Sequence, residues 1–170
     1  MKGPEEKIEA MPEELKDAYG GMFYAENGGY QAAGDPNLRP FKGYSTRSMV
    51  ERAFEVALSH EGASQRFEGL ASQYSSEMYE AHKRSAEYYK ASSELYLNLA
   101  AYMEEHLLLP VEEWVAFCRD FEKVLGKVRF GQHFCNTFYV PYSLDQAVWE
   151  MRDAQARSYL LLAYFRRDNL

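Results

Sequence analysis

Several absences narrow the reading of this chain before any feature that is present. There are two cysteines, Cys118 and Cys135, in 170 residues, too few for a disulfide framework. Met1 to Glu14 is charged throughout and carries no signal-peptide pattern, so the expected setting is intracellular, soluble and reducing. No apolar run approaches the roughly 18 residues a membrane span needs. A basic surplus is also missing: the formal net charge is -7, which argues against general nucleic-acid binding. An acidic chain can still occupy a basic groove on an enzyme, and an acidic inhibitor or regulator is the first alternative reading.

Catalytic signatures are missing as well. The four histidines are His60, His82, His106 and His133. A ferritin-like di-iron bundle needs Glu three residues before a ligand His, and those positions hold Ala57, Tyr79, Met103 and Phe130. HExxH, Cys-x-x-Cys, the Walker loop, GxGxxG and GxSxG do not occur. Two weak groupings remain. His133 and Cys135, two apart, would share one face of a strand, and a Cys–His pair can activate a thiolate. Glu104, Glu105 and His106 carry metal-ligating atoms, but neighbours on a helix point in different directions. The first has no third group and the second would need ligands from elsewhere, so no catalytic, cofactor-binding or metal residue is expected. A helical-bundle enzyme or cofactor binder is the second alternative.

Proline and glycine are absent where helices need them absent. Ser64 to Leu109 contains no proline and one glycine, Gly69. Along it Phe67, Ala71, Tyr74, Met78, Ala81, Ser85, Tyr88, Ser92, Leu95, Leu99, Tyr102, His106 and Leu109 repeat at 3-4 spacing, the period of a supercoiled packing seam. The stripe His82, Tyr89, Tyr96 and Met103 runs beside it, so the apolar face is wide. One helix of about 45 residues would span about 68 Å. A compact chain of this size is only about 40 Å across. The helix must therefore project or break, with Gly69 and Ser75-Ser76 as the bend sites.

Around it the signals are helical. Residues 4–18 read as a short acidic helix cut by Pro12, with a solvated acidic face. Gly20 to Gly43 holds six of the 11 glycines, with Phe23, Tyr24, Tyr30, Phe41 and Tyr44 in or beside it as anchors. It reads as an irregular segment. Further helices are predicted from Ser45 to His60, ending near Gly62, and from Pro110 to Leu125. Lys127 to Tyr142 reads as a packed loop, or a hairpin. A capping box at Ser143 opens a last helix to Phe165, expected to cover just over half the seam.

The fold expected is all-α: an elongated helical hairpin or bundle around one long helix, with 1–44 as an acidic helix plus Gly/aromatic-rich segment and 45–170 as the bundle domain. Aromatics make up 15%, with 14 Tyr, and Tyr suits interfaces. The expected function is a non-enzymatic structural or adaptor subunit. It would touch a protein partner, or a second copy of itself, through Tyr74, Tyr88, Tyr89, Tyr96 and Tyr102.

Overall fold

A computed structural model describes residues 9–22, 45–73, 76–138 and 146–166. Among the described residues the chain is all-α. Its helices are α1 (Glu13–Met22), α2 (Thr46–Ala71), α3 (Ser76–His106), α4 (Val111–Glu122), α5 (Phe130–Phe138), α6 (Gln146–Glu150) and α7 (Asp153–Tyr164). Most of the Gly-rich segment, Tyr74, Ser75 and the Ser143 cap lie outside the described residues.

The single long helix is replaced by a hairpin. α2 has 26 residues and α3 has 31. They pack antiparallel: Ser64 meets Ala86 while Ala57 meets Ser93. The break falls after Ala71 and α3 begins at Ser76, at one of the two expected bend sites. α2 starts where predicted, with the Ser45 hydroxyl accepting from Ser48 N at 3.2 Å. It does not stop near Gly62. A mid-helix glycine costs about 1 kcal/mol relative to alanine, and packing of the flanking Ala63 and Ser64, both buried, against α3 outweighs it.

Two cores hold the molecule. The first joins α1 to the base of the hairpin: Met11, Leu15, Ala18 and Tyr19 pack with Met49, Val50, Ala53, Leu99, Ala100 and Met103. The α1 acids Glu13, Glu14 and Asp17 face solvent, as expected. The second core is aromatic: Phe117, Phe121, Phe130, Phe134, Phe138, Tyr164 and Phe165 cluster with Val148 and Leu160. Edge-to-face pairs such as Phe121–Phe130 at 4.9 Å and Phe117–Phe130 at 5.0 Å suit the ring quadrupoles. A backbone strap links the cores. Leu109 N donates to Tyr164 O and Arg166 N to Leu109 O, both at 2.8 Å, and an Arg47 Nη donates to Phe165 O at 3.0 Å.

The C-terminal half corrects four expectations. Within Lys127 to Tyr142, expected as a loop or hairpin, Phe130–Phe138 is helical, because Phe130, Phe134 and Phe138 repeat every four residues and form the buried stripe of α5. The last helix is two, broken at Met151 and Arg152. Arg129 takes the carbonyl of Glu150 at 3.2 Å and the Asp153 carboxylate accepts from Phe130 N at 2.9 Å, so each side of the break serves the α5 N-terminus. Nor does the last helix cover the seam, which is filled by α2. Leu125, the expected end of the helix from Pro110, lies in the turn beyond α4 and is exposed.

Gly131 allows the closest approach in this core. A Cβ there would stand 1.9 Å from Val148 O. Gly131→Ala is expected to destabilise the chain by about 1–3 kcal/mol through overpacking, despite alanine's better helix propensity. Urea denaturation followed by circular dichroism measures it, and an unchanged midpoint would refute the close approach.

Candidate interaction surface

The hairpin seam alternates small buried residues with half-buried rings. On α2 it runs Ala57, His60, Ser64, Phe67, Ala71; on α3, His82, Ala86, Tyr89, Ser93, Tyr96, Ala100. The small residues let the two backbones approach until hydroxyls reach across. Ser64 Oγ donates to Ala86 O and Ser93 Oγ to Ala57 O, each at 2.8 Å and buried. Donor and acceptor are one heptad apart on each helix, so the two bonds are reciprocal.

Rings do not fit between backbones that close, so they stack along one side. The order is Tyr96, His60, Tyr89, Phe67, His82, alternating between helices, with successive centroids 5.5, 5.5, 5.7 and 5.8 Å apart. Phe67 and Tyr89 are nearly parallel, at 6°. His60 is tied across the seam by Nδ1 to Ser92 Oγ at 2.7 Å. Burial lowers its pKa below the usual histidine value.

This seam is offset by one residue from the expected one. The buried stripe is the neighbouring His82, Tyr89, Tyr96, Met103 row, completed by Ala86, Ser93, Ala100 and Leu107. The seven-residue spacing of Ala86, Ser93 and Ala100 was the missed signal. The expected seam residues Ala81, Ser85, Tyr88, Ser92 and Leu95 lie on the flank, about 100° round the helix. There Phe67, Ala81, Arg84, Ser85, Tyr88 and Tyr89 line a groove.

The five tyrosines therefore separate. Tyr88 is 68% exposed and touches Tyr89 edge-on at 5.3 Å. Tyr89 and Tyr96 are half-buried in the ring stack. Tyr102 packs on the first core and against His106 at 4.4 Å. Tyr74 lies outside the described residues.

The weak chemical groupings come apart. In a helix, His133 and Cys135 diverge by about 200°: Cys135 is buried, while His133 stacks on Phe117 at 5.1 Å and faces Asp120 at 3.7 Å. Burial pushes the Cys118 thiol pKa up, with Arg157 opposing and Glu122 adding, which is the wrong direction for a nucleophile. His106 is exposed beside Glu105 at 3.7 Å. Among the described residues no group of three or more His, Cys, Asp or Glu could hold a metal ion, and no helix is long and apolar enough to cross a membrane. Comparison with protein-family models, with curated proteins and with solved structures finds no match.

Ser64→Ala and Ser93→Ala should each cost about 1 kcal/mol in urea denaturation, since each removes one interhelical bond and leaves a carbonyl that can still accept within its helix. No loss in either variant would refute the reciprocal bonds. Stability should also depend on pH through His60. A lowered folded pKa means the unfolded chain binds more protons, so this contribution is present above the ordinary histidine value of 6.5 and is lost as pH falls through the folded value. His60→Gln should flatten the fall in melting temperature over that window relative to the parent chain; an identical slope would reject the role.

Proposed function

We propose that the chain is a non-enzymatic structural or adaptor subunit whose α2–α3 arm makes protein–protein contacts, by self-association or within a larger complex. The reading is carried by the stripe Ala81, Ser85 and Tyr88, which ends where Ser92 bonds His60 and Leu95 packs on the first core. It repeats at 3-4 spacing along α3, yet the hairpin's own seam uses the row beside it. A small-residue stripe with a projecting ring suits packing of a further helix, the ring as knob and the small positions as hole. Tyrosine is enriched among the residues that dominate binding energy at interfaces.

Tyr88 is the anchor of this contact, with Phe67 and Tyr89 as its walls. Tyr89, Tyr96 and Tyr102 serve it indirectly by holding the arm together. Exposed charges on α3 are mixed in sign, Glu80, Lys83, Arg84, Glu87, Lys90, Glu94. Such a face favours recognition by shape over capture by a highly charged partner. The arm has the length for the task, since 31 residues of α3 span about 46 Å.

Light scattering after size exclusion, over a range of concentrations, tests the self-association form. The expected result is a species heavier than the 19.7 kDa chain, which Tyr88→Glu returns to 19.7 kDa with helical content unchanged. A 19.7 kDa species at every concentration would remove self-association. An assembly that survives Tyr88→Glu would remove the stripe as its interface.

A further inference from the structure

A second feature lies away from the arm and does not depend on the arm's role. Between α4 and α5 a cleft of about 290 Å³ is lined by Glu113, Ala116, Phe117 and Asp120 on one side and by Thr137 and Phe138 on the other. At about 30 Å³ per water-sized group it has room for about ten heavy atoms.

Its chemistry favours a cation. Glu113 Oε2 is shut off from solvent and has no hydrogen-bond partner among the described residues. The N-terminal dipole of α4 offsets part of that carboxylate's charge, but a buried acceptor without a donor remains costly. Asp120, two helical turns on, is already engaged: Lys123 Nζ lies at 3.1 Å and His133 Nε2 at 3.7 Å. Between the two acids Phe117 and Phe138 meet at 5.5 Å, and aromatic faces attract cations.

The same aromatic core carries a guanidinium on its other side. Arg157 sits 4.6 Å over the Phe130 ring and 5.6 Å from Phe121, and Phe130 touches Phe117 at 5.0 Å. Phe117 already carries the His133 ring, stacked at 5.1 Å with Nε2 3.7 Å from Asp120, so among the described residues Glu113 is the cleft acid left without a cation beside it.

We propose that this cleft binds a guanidinium carried on an aliphatic stem, the head at the Glu113 carboxylate and the stem along Phe117 and Phe138. The group can belong to a free small molecule or to an arginine side chain. Amide chemical shifts of the full chain, at constant ionic strength, test this with three probes: butylguanidinium, neutral butylurea, and an acetylated Gly-Arg-Gly amide. Butylguanidinium should give saturable shifts at Ala116 and Thr137, with a Kd on the order of 1 mM for so small a ligand, and butylurea none. Glu113→Gln should weaken binding about tenfold or more while the shifts without ligand stay native outside α4. Ala116→Leu, which fills the rim without changing charge, should abolish it, so loss of binding is not read from one variant alone. Tighter binding of the tripeptide assigns the site to an arginine of a polypeptide; equal or weaker binding assigns it to a small molecule. No saturable shift with either cation, equal binding of butylurea, or unchanged affinity in Glu113→Gln would overturn the proposal.

Discussion

Two helices approach closely enough for serine hydroxyls on each to reach carbonyls on the other, and much of the architecture follows from that distance. Ser64 and Ser93 make reciprocal bonds at 2.8 Å, which large residues at Ala57 and Ala86 would prevent. The hydroxyls are satisfied without water, so the seam can be buried despite its polarity. Packing and hydrogen bonding therefore make the same demand, for small residues at these positions.

Close backbones leave no space between them for rings, and the aromatic content of the arm moves to one side. There His60, Phe67, His82, Tyr89 and Tyr96 interleave. The next row of α3 lies about 100° round the helix from the buried row, and Tyr88 in it stays exposed. The exposed tyrosine is a consequence of the intramolecular seam, which connects the arm's stability to the surface it offers.

The C-terminal half solves a different problem. Short helices of 12, 9, 5 and 12 residues have little stability of their own, and phenylalanines hold them together. Phe130, Phe134 and Phe138 were legible as hydrophobic, but the stretch around them read as a packed loop or a hairpin. The contact between Gly131 and Val148 O is what seats α5 on α6, and no local pattern reveals it. Ser45 and Pro110 do mark helix starts within a residue of where they are found, and Pro12, expected as a cut inside a helix, directly precedes α1, because caps and proline act through neighbouring backbone alone.

By itself the sequence determined the helical class, the position of the wide apolar face, two candidate bend sites at Gly69 and Ser75-Ser76, and the absence of recognisable catalytic motifs. Each depends on backbone preference or residue type, which are local. Tertiary structure decided which of two adjacent rows on α3 is buried and that α2 fills it. It also decided that Tyr88 is left out, and that Glu113 meets an aromatic cleft. Periodicity locates an apolar face but not its partner, and rows one residue apart differ by only about 100° of rotation. The choice between them rests on where the backbones come closest, and that distance exists only once both helices are in place.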